Sequence, residues 1–191
     1  MSKVYKFLFL GVFMTLAVTA FGQGVGVVQT AAPPTIDGDV SDAAWAAASD
    51  LNIGNVSSGT MDAAFDANFK LLWDADFLYI AISVDDDTLR NDNMPTTFAQ
   101  DQNDFIDVYI DMDRRFPYEE NQDNGSWWNL YDVNDLQIQL LRDSAFLNIG
   151  GQFPGQTLDS AASGILFGQA EVTGGFTFEI AIPYDLSLIH I

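Results

Sequence analysis

The chain has no cysteine, a single histidine, and only seven basic residues against 27 acidic ones in 191 residues. Without cysteine no disulfide can cross-link the fold, and no lipid-modified cysteine can anchor it to a membrane. Stability has to come from the core or from bound metal. A domain of about 150 residues buries close to 70% of its unfolded surface, so a core alone can suffice. The scarcity of lysine and arginine excludes nucleic acid and anionic membrane surfaces as partners, because both need a basic face. The histidine is His190, inside the closing string Leu186-Ser187-Leu188-Ile189-His190-Ile191. That string resembles translated sequencing-adapter read-through, and residues 186–191 are set aside as a non-native tail. With His190 discounted, the commonest metal ligand and general base is gone. There is also no heptad, internal repeat, long amphipathic helix or glycine-rich phosphate loop.

What is present begins with an export signal. Lys3 and Lys6 precede the apolar run Phe7 to Phe21, and small residues around Ala20-Phe21-Gly22-Gln23 provide a cleavage site. The run is short of the roughly 20 residues that span a bilayer. Residues 1–23 therefore read as a removable signal peptide, residues 24–33 as a leader, and residues 34–185 as one domain. Removing the signal takes two of the seven basic residues and none of the 27 acids. The remaining surface suits neutral ligands, or divalent cations that offset its repulsion. The expected location is secreted or at the cell surface, with no membrane insertion after signal removal.

Beyond the leader the pattern is that of strands. Ile36-Asp37-Gly38 reads as a turn, and Ser41 or Asp42 as the cap of a short helical turn carrying Ala43, Ala44 and Trp45. Phe69, Leu71 and Trp73 alternate with Asn68, Lys70 and Leu72. After the tight connection Asp74-Ala75-Asp76, Leu78, Ile80, Ile82 and Val84 alternate with Phe77, Tyr79, Ala81 and Ser83. Period two predicts a hairpin with one strongly apolar face. Further strands are expected at Ile106 to Ile110, Leu136 to Leu141, Ile165 to Val172 and Phe176 to Ile182. Residues 85–103, 112–132 and 150–163 read as polar loops. Trp45 and Trp73 are expected in the core, and Glu179, between core phenylalanine and isoleucine positions, is expected to face solvent. The fold class is all-β: an antiparallel, jelly-roll-like β-sandwich with long acidic loops.

The ordered phrases PTIDGDVSDAAW (34–45), FKLLWDADFLYIAISVDDD (69–87), DFIDVYID (104–111), NDLQI (134–138) and GFTFEIAIP (175–183) together resemble the family 9 carbohydrate-binding modules. These are β-sandwiches joined to secreted xylanases and surface proteins. The likeness covers about Pro34 to Tyr184. It implies binding of xylan or another poly- or oligosaccharide by a non-catalytic accessory module in carbohydrate catabolism, stabilised by calcium. It also implies covalently attached domains and closing strands beyond Ile191. In such modules two aromatic rings sandwich a terminal sugar, and polar groups bond its hydroxyls. The acidic contact falls on Asp107, and a position the family gives to arginine falls on Gln139. Asp101-Gln102-Asn103 stand where the first sandwiching tryptophan belongs, with Phe98 the nearest aromatic. The second aromatic falls beyond Ile191.

The candidate ligand-binding set is therefore Asp107, Gln139, Phe98, and the pair Trp127-Trp128, whose adjacent rings point opposite ways on an extended segment. Calcium takes six to eight oxygen ligands, and Asp86, Asp92 and Asp104 are the candidates for it. Asp107 paired with a second carboxylate would suit a glycosidase, but the only glutamates are Glu119, Glu120, Glu171 and Glu179, and no nucleophile–histidine pair exists. A calcium-stabilised structural or adhesion module without a sugar site is the principal alternative. A haem-binding sandwich would have to draw axial ligands from Met61, Met94, Met112 and Lys70.

Overall fold

The computed structural model describes residues 24–55, 60, 63, 65–86, 104–111, 135–141, 144–149, 156–157 and 163–184. Ten strands run through these residues: β1 (Val28–Gln29), β2 (Leu51–Asn52), β3 (Asp66–Trp73), β4 (Phe77–Asp85), β5 (Phe105–Asp111), β6 (Asp135–Leu141), β7 (Ser144–Ile149), β8 (Gln156–Thr157), β9 (Leu166–Val172) and β10 (Gly175–Pro183). One sheet has the order β1-β3-β4-β10-β9, with β2 also paired to β3; the other has the order β5-β6-β7-β8. Every pairing is antiparallel except that of β1 with β3. The long acidic loops lie outside the described residues.

Alternation builds the core directly. Ile80, Ile82 and Val84 of β4 and Phe176, Phe178, Ile180 and Ile182 of β10 face Leu136, Ile138 and Leu140 of β6. Ile106, Val108 and Ile110 of β5 pack against the same cluster. Phe178 meets Phe176 edge-on and Phe167 in a stacked pair, the arrangements that ring quadrupoles favour.

The hairpin turn also follows from its sequence. Asp74 Oδ1 accepts the amides of Asp76 and Phe77, both at 2.8 Å, while Oδ2 accepts the Tyr79 hydroxyl at 2.7 Å. An aspartate that bonds the backbone two and three residues on closes a turn without help from the rest of the fold. Burial together with the neighbouring Asp74 pushes the Tyr79 phenol well above its usual range.

The outer face of the larger sheet is not open to solvent. The segment from Pro34 to Ala48 lies across it as a strap, with a 3-10 helix at Ala43–Ala47. Trp45, 1% exposed, packs on Leu72, Tyr79, Ala81 and Ala181, with Ile36, Val40, Ala44 and Phe77 around them. Asp42 does occupy the cap position, but its side chain makes no cap bond and accepts the Thr35 amide at 2.7 Å instead.

Here one expectation fails. Glu179 is fully buried rather than solvent-facing. Its Oε1 accepts the Trp45 indole N–H at 2.7 Å, and its Oε2 accepts the amides of Gly38 at 2.8 Å and Asp37 at 3.1 Å. Alternation places it on the outer face correctly, but the strap covers that face. Burial raises its pKa, while the three N–H donors favour the carboxylate. Gly38 is in the left-handed region at φ 92°. Its carbonyl accepts the Thr177 hydroxyl at 2.6 Å, and a Cβ there would collide with the Gln169–Ala170 backbone.

Other departures are smaller. Trp73 is half-buried rather than a core residue, since it ends β3 beside the turn. The expected leader contributes β1, paired in register with Leu72 and Trp73. β8 falls inside a stretch expected to be loop, and β7 has no strong period to announce it.

Candidate functional site

The smaller sheet carries the candidate site on its outer face. Ile106, Val108 and Ile110 point inward, so Phe105, Asp107 and Tyr109 point outward. On β6 the same logic turns Gln137 and Gln139 outward. The register sets Asp107 directly opposite Gln139, and Tyr109 opposite Gln137. Phe146 and Asn148 of β7 occupy the next register positions, opposite Gln139 and Gln137.

Asp107, Tyr109 and Gln137 form a hydrogen-bonded polar cluster. The Tyr109 hydroxyl donates to Asp107 Oδ2 at 3.0 Å. Gln137 Nε2 donates to Asp107 Oδ1 at 3.2 Å and to the Tyr109 oxygen at 2.9 Å. Burial pushes the Asp107 carboxyl above the usual aspartate range, while hydrogen bonds from Gln137, Tyr109 and Gln139 work against that rise. Its partners are neutral donors, which hold a carboxylate in place as an acceptor.

The surroundings are uneven. Gln139 is 3% exposed and Leu141 1%, so that end of β6 is covered, while Gln137 is half-buried. Phe105 and Tyr109 on β5 are 40% and 47% exposed. The β5 side of the face thus offers a fixed acceptor between two exposed aromatic residues, with the half-buried Gln137 amide beside it, the mixture that a sugar's hydroxyls and C–H faces require.

Of the residues expected from sequence, Asp107 and Gln139 are brought together as a cross-strand pair. Phe98, Trp127, Trp128 and Asp92 lie outside the described residues. Asp86 follows β4, half-buried, with its amide donating to the Gly174 carbonyl at 2.9 Å, and Asp104 immediately precedes β5. Among the described residues no three histidine, cysteine, aspartate or glutamate side chains gather closely enough to hold a metal ion. Asp86 and Asp104 alone are too few oxygen ligands for calcium. Lys70, weighed above as a haem ligand, pairs with Asp50 at 3.4 Å.

Sequence reasoning passed over Tyr109 and Gln137. The signal was available: each sits two residues from a chosen residue, on the same face of its strand.

A profile of the carbohydrate family 9 binding domain-like family matches residues 36–188. The chain belongs to this family. Members are binding modules, generally without catalytic activity of their own. Over 153 residues the chain is 27% identical to endo-1,4-beta-xylanase A of Thermotoga maritima, covering 79% of the chain and 12% of the xylanase. It thus spans about an eighth of the length of that curated relative. A family 9 carbohydrate-binding module from Caldicellulosiruptor kristjanssonii shares the fold. Its complex with cellotriose superposes with a TM-score of 0.58 at 22% identity, covering 83% of this chain and 66% of that one. Its complex with glucose gives 0.57 at 23% identity, covering 83% and 69%. No helix among the described residues is long and apolar enough to cross a membrane.

Proposed function

We propose that this family 9 domain binds poly- or oligosaccharide on the outer face of β5, around Asp107 and Tyr109, with Gln139 buried behind them as a support rather than a contact, and without catalysing its cleavage. The observation that carries the reading is the Asp107–Tyr109–Gln137 cluster: a carboxylate held by neutral donors beside exposed aromatic surface. Such an acceptor pre-set by its neighbours bonds sugar hydroxyls without first having to be ordered. Membership in a carbohydrate-binding family supports it, as does the xylanase context of the curated relative. The signal-like residues 1–23 support export, and a module of this kind would hold attached domains near their polysaccharide through effective concentration.

Calcium belongs to the same proposal. Asp86 and Asp104 bracket the acidic stretch 87–103, which holds Asp92. Ligands from that stretch would have to complete the coordination shell. The test is calorimetric titration of the purified protein with glucose, cello-oligosaccharides and xylo-oligosaccharides, in calcium and in chelator. Binding that Asp107→Ala abolishes supports the reading. Absence of binding to all three, with calcium raising only the melting temperature, refutes it in favour of a structural module.

A further inference from the structure

The exposed row on β5 has a geometry of its own. Phe105, Asp107 and Tyr109 are alternate residues of one strand, so they share a face. Tyr109 does not stand upright on that face. Its hydroxyl reaches Asp107 Oδ2 at 3.0 Å and Gln137 Nε2 at 2.9 Å. Aspartate is short, and its Cα lies about 7 Å back along the strand. A ring pointing straight away from the sheet would carry its oxygen well above that carboxylate. The ring must therefore lean back over the strand and lie along the sheet. With the oxygen engaged on two sides and the residue 47% exposed, what it offers solvent is largely ring carbon. Phe105, 40% exposed, stands at the other end of the row. The two aromatic positions are about 13 Å apart along the strand. That is longer than one pyranose ring, with Asp107 between them.

We propose that Tyr109 is the sugar-stacking platform of this domain, and that Phe105 contacts a second sugar further along the same chain, with Asp107 accepting hydroxyls between them. The inference rests on the carbohydrate-binding reading above and makes it specific. The ligand lies side-on along β5 against one aromatic face at a time, and the class it favours is an oligosaccharide of two or more rings over a monosaccharide. A ring pinned by two hydrogen bonds loses little freedom when a sugar stacks on it.

The experiment titrates the purified protein and four variants with cellotriose and with glucose. Tyr109→Ala and Tyr109→Leu are expected to weaken cellotriose binding about tenfold or more, since both lose the flat face; leucine keeps apolar bulk should alanine fail to fold. Tyr109→Phe keeps the ring and is expected to stay within about threefold at neutral pH. It also removes a hydrogen bond that favours the Asp107 carboxylate, so its binding is lost at a higher pH than wild type on acidification. Phe105→Ala is expected to weaken cellotriose and leave glucose unchanged. Wild type that binds cellotriose with Tyr109→Leu within twofold of it overturns the proposal while the carbohydrate reading stands. Equal losses in Tyr109→Phe and Tyr109→Leu also overturn it, because the hydroxyl rather than the ring would then carry the effect. Phe105→Ala weakening glucose as much as cellotriose overturns the side-on mode. Wild type that binds neither sugar removes the carbohydrate reading itself, and this proposal with it.

Discussion

Glu179 is where the fold is most sharply testable. Its carboxylate is fully buried and accepts the Trp45 indole N–H, the Gly38 amide and the Asp37 amide. Alanine at this position strands those donors under the strap and leaves a void against Trp45. Hydrogen bonds to a charged group contribute about 1.5–3 kcal/mol each, but removing the glutamate also removes the cost of burying its charge. The net expectation is a loss of about 3–5 kcal/mol, comparable to breaking a buried ion pair. Against a typical total of about 5–15 kcal/mol, that is a third or more of the stability. Glutamine keeps the shape but only one acceptor oxygen, so either the indole or the two amides would face its NH2 group; about 2–3 kcal/mol is expected. Urea unfolding followed by tryptophan fluorescence reads both. The pH dependence gives an independent reading. Burial raises the native carboxyl above the ordinary glutamate value of 4.5, so the unfolded chain ionises first. Wild-type stability from this group is then fully present below 4.5, falls as pH rises through the native value, and is level above it. Glu179→Gln lacks that slope. Variants within about 0.5 kcal/mol of wild type, an ordinary surface effect, would refute the claim that Glu179 anchors the strap.

The remaining predictions concern the strap, the site and the metal. Gly38→Ala combines a left-handed φ of 92° with a Cβ driven into the Gln169–Ala170 backbone; it should cost clearly more than the roughly 1–2 kcal/mol of the φ penalty alone, read as a lowered urea midpoint. Sugar binding should fall on acidification as Asp107 gains a proton, with a midpoint above the ordinary 3.8 because burial raises this carboxyl; a pH titration of the dissociation constant checks it, and Asp107→Asn should flatten the curve. Calcium should raise the melting temperature and chelator reverse it, with Asp86→Asn or Asp104→Asn weakening the response; an identical melting temperature with and without calcium would count against the site.

The larger features were legible because they are local. Alternation in residues 69–84 and 175–183 marks three strands and the turn between the first two, and Asp74 supplies the turn chemistry within three residues of itself. The Asp107–Gln139 pairing was approached through family likeness, and the register confirms that the two stand opposite each other. What period two cannot disclose is what covers a face. Glu179 alternates outward and is nevertheless buried, because residues 34–48 return over the sheet from about 140 positions earlier in the chain. Gln139 also alternates outward and is 3% exposed. β1 and β8 escaped for another reason: two residues are too few to display a period, and only their partners define them as strands.

The two outer faces therefore carry opposite consequences of the same pattern. On the larger sheet the outward glutamate meets three N–H donors from the strap, so its bonding capacity is spent within the fold and Trp45 closes over it. A substitution there moves stability first. On the smaller sheet the outward aspartate meets side chains of its own sheet, Tyr109, Gln137 and Gln139, and the aromatic surface beside it remains exposed. A carboxylate has about four lone-pair sites, more than those three bonds use, and a half-exposed ring retains exposed carbon. A substitution there should change ligand affinity with little effect on unfolding. The expected separation, a large stability loss at Glu179 and a large affinity loss at Tyr109, is the result that would set a scaffold face apart from a recognition face in this domain.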